Sequence, residues 1–401
     1  MLKLFNTLGR RLETFHPVSK KVVTMFTCGP SVYQRSHIGN FRTFLFEDIV
    51  VRYLEYKGCA VRRGMNFTDV EDKAYKAARE KKTTVRALTE KNIRTFCREM
   101  EQLRIKMPDY LPRASEHVEK AVEIIQELLD RGSAYWYKGS VYFDPLTFPG
   151  FGKLYGLDMS RWPKRKRRFH RDTYPGMQWN LGDFILWHGT PHGAWKTAIG
   201  RGRPSWNIQD PSMISDCFDE TLSIYCGGID NLFRHHDYNL AILETIRPYP
   251  MARFWLHGHH LYVDGHKMSK SKGNILYTET LQERGYSLSE IRFFLIYGHY
   301  RTRLNYSDRA MEEVANRLRR FKTYVKKTEK RAGPKPAACP LVNRVEAAFV
   351  AGMDNDLNVK EAFDGVAGVL ESGGGKALSP GEAACMLQAL QRIDEVLNVV
   401  Y

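Results

Sequence analysis

An apolar, β-branched run near the start, VVTMFT at 22–27, ends at once in the turn residues CGPS. Branched side chains suit a pleated strand buried on both faces, and Gly29 with Pro30 stops it. Helical spacing follows over 41–58, with apolar Phe44, Ile49, Val50 and Leu54 and a closing Gly58. CAVRRGMNFTD then returns to strand. Strand, helix, strand makes a βαβ unit, so the fold class expected is α/β with a doubly wound parallel sheet. Ligands of such sheets bind beyond the carboxyl ends of the strands, where the junction at 36–41 would lie.

The middle of the chain reads differently. VEKAVEIIQELLDRGSAYWY is an amphipathic helix closing on Gly132, SVYFDP is a strand, and a Gly-, Pro- and Trp-rich loop region with the basic run KRKRR at 164–168 follows. LSIYCGGID and RFWLHGHHLYVDG resume strand character. After about 290 the chain is helical, GPKPAAC at 333–339 is a linker, and Ser379, Pro380 and Glu382 form a capping box. The organisation expected is two halves of one Rossmann-type domain, 1–95 and 206–290, split by a connective insertion at 96–205. A helical segment at 291–332 and an α-helical bundle at 333–401 follow.

A chain of 401 residues exceeds one ordinary core. No apolar run reaches the ~18 residues of a membrane span, and MLKLFNTLGRR lacks a secretory leader. Seven scattered cysteines without a C-x-x-C pair read as reduced thiols, so a cytoplasmic protein is expected. The formal charge of +16 favours a polyanionic partner, above all nucleic acid. Arg317, Arg319, Arg320, Lys322, Lys326, Lys327 and Lys330 crowd one helical segment as the expected RNA contact, whereas KRKRR reads as solvated surface.

Two loops carry chemistry. SHIGNF, 36–41, opens the first helix, where free N–H groups attract phosphate; Gly39 admits a close ligand and His37 offers a donor. HKMSKSKGN, 266–274, places Lys267, Lys270 and Lys272 on a Gly- and Ser-containing loop suited to clamp a triphosphate. A third stretch, FRHHDYNL at 233–240, reads as a helical turn with His235 and Asn239 four apart on one face.

Together the two loops are the paired signature of class I aminoacyl-tRNA synthetases, and the chain resembles the cysteinyl-tRNA synthetases. CGPSVYQRSHIGNFRTF, NFTDVEDKAYKAA, VYFDPLTFPGFGKLYG, CGGIDNLFRHH and AAFVAGMDNDLNVKEAF carry the resemblance in order over nearly the whole chain. It implies a Rossmann-type catalytic domain and ATP, with Mg2+, held by His37, Gly39, Asn40, Gly228, Asp230 and Lys270. Lys267 and Lys270 would stabilise the transition state for loss of pyrophosphate, and Gly228 and Asp230 would take the ribose. Cys28, Thr68, Trp206, Asp210 and His235 would form the amino-acid pocket. Arg317, Arg320, Lys322 and Lys326 would touch tRNA. The reaction implied is activation of cysteine, or a related amino acid, to an aminoacyl-adenylate and its transfer to the 3′ end of tRNA, by a monomer.

The chain departs from the family pattern in two places. The family holds zinc in its amino-acid pocket through two cysteines, a histidine and a glutamate, and reads the substrate thiol with it. Cys28 and His235 match, but Asp210 stands at the second cysteine and Asn239 at the glutamate. Three readings stay open: a weakened zinc site, no metal, or a rearranged site using Cys226 or Asp237. Without metal, a buried Asp210 would need a partner, which a cationic or hydroxyl-bearing substrate could supply, and cysteine selection would be impaired or changed. The chain also ends at Tyr401, where the family continues into an anticodon-binding domain. That ending makes a small-molecule acceptor the second reading, as in the family branch that joins cysteine to an amino-sugar in mycothiol synthesis. A non-catalytic RNA-binding relative is the third.

Overall fold

The computed structural model describes residues 1–19, 22–161, 182–190, 194–269, 272–373 and 378–401. Val22–Thr27 forms a strand with Met25 and Phe26 wholly buried. It pairs in parallel with Ala60–Met65 on one side and Leu222–Gly228 on the other, and Ala252–Gly258 completes a four-stranded parallel sheet. Strand order reverses between Val22–Thr27 and Leu222–Gly228, which opens a crevice beyond their carboxyl ends.

The helix after the first strand spans Ile38–Tyr56, starting three residues before the periodic pattern does. The reason is its cap. His37 Nδ1 accepts from the Asn40 N–H (3.3 Å) and Asn40 Oδ1 from the His37 N–H (3.0 Å), so the SHIGN loop is itself the helix start. Its buried face includes Phe41, Phe44, Leu45, Ile49 and Leu54.

The insertion holds the expected helix, Val118–Asp130, ended by Gly132 at φ 70°. The stretch that read as loop contributes three strands, Phe184–Gly189, Trp195–Thr197 and Gly200–Pro204. They join Ala134–Tyr137 and Ser140–Phe143 in one five-stranded antiparallel sheet. The last two pair around Gly200 at φ 94°, and segments this short give little alternation to read. KRKRR lies outside the described residues.

Helices Leu288–Ile296, Asp308–Glu329, Pro340–Asp354, Val359–Gly373 and Pro380–Leu397 follow. Their apolar faces share one core with the first helix, through Tyr53, Leu54, Val345, Phe349 and Leu390. Arg292 is buried at that junction. It donates to Asp48 Oδ2 (2.6 Å), the Leu397 carbonyl (2.7 Å) and the Leu103 carbonyl (2.8 Å). Burial would raise the Asp48 carboxyl, but Arg292 and Arg52 outweigh it and hold it below its ordinary value. Among the described residues no helix is long and apolar enough to cross a membrane.

Candidate nucleotide and amino-acid site

A cleft of about 210 Å³ opens at the strand-order reversal, lined by Cys28, His37, Asn40, Thr68, Trp206, Gly228 and Asp230 among others. The two lysine- and histidine-bearing loops meet beside it. A Cβ on Gly39 would lie 2.4 Å from Met268 Cε and 3.1 Å from the His37 ring. The space that Gly39 leaves is therefore filled by the second loop. The Ile38 N–H also donates to the Leu276 carbonyl (3.0 Å), just past that loop.

Lys267 Nζ stands 4.0 Å from Asp230 Oδ2, both half-exposed, a weak pair that an incoming phosphate can replace. Asn274 staples the loop: its Oδ1 accepts from the Ser269 N–H (2.9 Å) and its Nδ2 donates to the Lys267 carbonyl (3.4 Å). The HKMSKSKGN motif alone gives this asparagine no such role. Lys270 lies outside the described residues. A Gly39→Ala chain should lose about 10²-fold in adenylate formation, because displaced loops misplace the reacting atoms. Met268→Ala in the same chain should restore part of it, as read by pyrophosphate exchange.

Burial, aided by the nearby Lys267 charge, lowers the His37 imidazole to about 4. The ring is neutral at physiological pH. With Nδ1 accepting from Asn40, its proton sits on Nε2 and can be donated. The unfolded histidine titrates near ~6.5, so the unfolded chain takes up the proton first. This group's contribution to stability is complete above that pH and falls as pH drops toward 4. The kcat/KM profile for ATP should correspondingly show no ionisation of this ring between about pH 5 and 7, where a free histidine would titrate.

At the amino-acid end, Trp206 stacks on His235 with ring centroids 4.0 Å apart and planes 4° apart. Thr68 is buried in the cleft wall and its Oγ1 accepts from Asn66 Nδ2 (3.4 Å). Asp210 is wholly buried. Its Oδ1 accepts from Asn66 Nδ2 (2.9 Å); its Oδ2 accepts from Tyr225 OH (3.0 Å) and pairs with His235 Nε2 (3.0 Å). Asn239 Nδ2 lies 3.5 Å from the same oxygen and donates to Tyr225 OH at 3.1 Å. The partner that a buried Asp210 needs is thus supplied by the chain itself rather than by a substrate. Of the four implied metal positions, Asp210 has both oxygens in this network, and Asn239 joins it through Nδ2 alone.

The FRHHDYNL turn also differs from expectation. Phe233 is extended (φ −94°, ψ 159°) and Arg234 left-handed (φ 66°), and a regular helix runs only over Asp237–Ile246. The kink brings His236 inward, where the sequence alone suggests a structural or solvent-facing residue. Cys28 Sγ and one ring nitrogen each of His235 and His236 lie within 4.8 Å of one another, all three residues buried. The alternatives are used elsewhere. Cys226 packs in the sheet core, and the Asp237 carboxylate accepts from the Leu154 (3.1 Å) and Tyr155 (2.9 Å) N–H groups of the insertion.

Burial first and Asp210 second push the Cys28 thiol well up, so without a cation it stays protonated. Burial, then His257 and His235, hold His236 well below its ordinary value. Thiol and imidazole are the donors zinc prefers, so the residues present fit that ion, though not through all four implied positions. Asn66, Tyr225, His236 and His257 were missed from sequence. The one advance signal for Asn66 and Tyr225 is that a buried carboxylate at Asp210 requires donors from somewhere; His236 and His257, which pair with each other, have no such signal.

On the Asp308–Glu329 helix, Arg317 and Arg320 line an open groove of about 630 Å³ with Arg319 and Thr323. Arg320 and Lys326 are exposed and have no carboxylate partner among the described residues. Arg317 lies 3.6 Å from Asp364. Lys322 is turned inward and donates to Ser289 Oγ (2.8 Å), so of the four implied tRNA contacts it is the least available.

Residues 14–316 match the family model described as tRNA synthetases class I (C) catalytic domain. The Cysteine--tRNA ligase of Chlamydia muridarum is 36% identical over 100% of this chain and 88% of its own length. That of Koribacter versatilis is 36% identical over 100% of this chain and 82% of its own. Methionyl-tRNA synthetase of Mycobacterium tuberculosis, solved with methionyl-adenylate, superposes with TM-score 0.64 at 16% identity, covering 95% of this chain and 90% of that one. A ternary LeuRS–tRNA–LeuAMS complex from Agrobacterium radiobacter K84 gives 0.69 at 12%, covering 96% and 85%. The two structures share the fold; the two relatives and the family model show more. The chain belongs to the cysteinyl-tRNA synthetase family of class I aminoacyl-tRNA ligases.

Proposed function

We propose that this ligase activates cysteine with the magnesium complex of ATP and transfers it to the 3′ end of a tRNA. The observation that supports the reading most is the contact of Met268 with Gly39, which closes the two loops over one cleft beside Cys28 and His235. The substrate carboxylate attacks the α-phosphate, forming the acyl–phosphate bond as the bond to pyrophosphate breaks. His37 Nε2–H donates to a phosphate oxygen, and Lys267 follows the charge growing on the departing pyrophosphate; Lys270 is assigned the same task. Asp230 leaves its weak pair with Lys267 to accept from the ribose hydroxyls. Positioning and electrostatics supply most of the rate, since no covalent intermediate with the protein is needed.

Cys28 and His235 are the residues through which zinc would enter the pocket, where its chemistry is to bind a deprotonated substrate sulfur. Asp210 is already met by donors of the chain itself, Asn66, Tyr225 and His235, so its carboxylate does not call for a cationic side chain on the substrate. Arg317, Arg320 and Lys326 contact the acceptor stem. The seven free thiols suit a reducing compartment, and the cytoplasm is the proposed location.

Charging of tRNA with labelled cysteine tests the reading; transfer of cysteine to a small amine but never to tRNA would defeat it. Filter binding at graded salt adds a second check. Arg320→Ala with Lys326→Ala should weaken tRNA binding and flatten the log–log salt slope by about 1 for each phosphate that is no longer neutralised.

A further inference from the structure

The geometry points to a divalent-cation site formed by Cys28 Sγ, His235 Nδ1 and His236 Nε2, in place of the set Cys28, Asp210, His235 and Asn239 implied by the resemblance. The inference deepens the cysteine reading above and rests on it for the ligand at the open fourth position.

His235 uses Nε2 on Asp210 (3.0 Å), and its Nδ1 is buried without a partner. His236 uses Nδ1 on His257 Nε2 (2.8 Å), and its Nε2 is buried without a partner. Two orphaned imidazole nitrogens in one buried pocket are costly unless something takes their lone pairs. A glycine keeps the space open: a Cβ on Gly227 would lie 3.0 Å from His236 Nε2 and 3.4 Å from Cys28 Cβ.

The bonding around the two rings also sets their tautomers. Asp210 accepts from His235 Nε2–H, which leaves a lone pair on Nδ1. His257 Nδ1 lies 2.8 Å from Thr7 Oγ1. If that hydroxyl accepts, His257 Nε2 accepts from His236 Nδ1–H, and His236 Nε2 carries a lone pair too. A carboxylate behind one histidine and a histidine–hydroxyl chain behind the other are the outer partners that metal-binding imidazoles require. Trp206, stacked on His235, fixes the plane of that ring. Asp210 stands outside the cluster of Cys28, His235 and His236 and, through Oδ2, orients His235. Asn239 Oδ1 is buried without a partner too, but an amide oxygen is a poor zinc donor beside thiolate and imidazole.

The full chain, purified and loaded with Zn2+ alone, is the test. X-ray absorption should show one sulfur at about 2.3 Å and two imidazole nitrogens at about 2.0–2.1 Å. His236→Gln should reduce bound zinc from about one per chain to a small fraction, while Asp210→Asn should keep it with affinity lowered about 10–100-fold. One sulfur with a single imidazole and a carboxylate would overturn the inference. So would loss of zinc in Asp210→Asn as complete as in His236→Gln, or a wild-type chain that takes up no zinc. The wild-type spectrum decides if His236→Gln fails to fold. A chain with the predicted shell that does not activate cysteine defeats the functional reading and leaves this site standing; a zinc-free chain that activates cysteine does the reverse.

Discussion

His37→Asn should lower cysteine-dependent pyrophosphate exchange about 10²–10³-fold, the effect of losing one donor aimed at developing phosphate charge. Asparagine is chosen because it caps helices well, so the Ile38–Tyr56 helix keeps its start and the melting temperature should hold. His37→Ala would also remove the cap, at about 1 kcal/mol, and confuse the two roles. The rate loss should appear in kcat rather than in KM for ATP, because the donor matters most as the phosphate oxygens gain charge. A rate within a few-fold of the parent would remove His37 from the reaction and leave it only as a cap.

Arg292→Met should cost about 3–5 kcal/mol in a urea unfolding experiment, because Asp48 is left buried with fewer partners. The lower end is expected, since Arg52 Nε remains 2.8 Å from the same carboxylate. The change also frees the Leu397 and Leu103 carbonyls, so the Pro380–Leu397 helix should loosen first. Adding Asp48→Leu should recover part of the loss, because the stranded charge goes with it. A stability change below about 1 kcal/mol would show that the junction rests on apolar packing alone.

Much of this architecture is legible in the chain itself. A β-branched run ended by Gly29 and Pro30, followed by helical spacing, specifies a βαβ unit because both periods are local. The two catalytic loops are legible as motifs. What stays hidden is tertiary. No local pattern says that Met268 fills the space beside Gly39 across more than two hundred intervening residues. The FRHHDYNL segment misleads because a helical period carries through Phe233 and Arg234, where the backbone breaks. That break hides His236, whose ring points inward only after the kink. Asp210 is placed in the pocket by resemblance, but its donors are Asn66, just past the Ala60–Met65 strand, and Tyr225, within Leu222–Gly228, which come together only in the folded sheet. The short insertion strands escape for a simpler reason, having too few residues to show alternation.

Pyrophosphate exchange with each amino acid in turn, with and without added zinc, tests the central claim most directly: two distant loops make one cradle for carboxyl activation. Exchange should appear with cysteine, fall sharply with serine, and vanish in Lys267→Ala. Absence of exchange with every amino acid, in a chain that is folded and zinc-loaded, would contradict it.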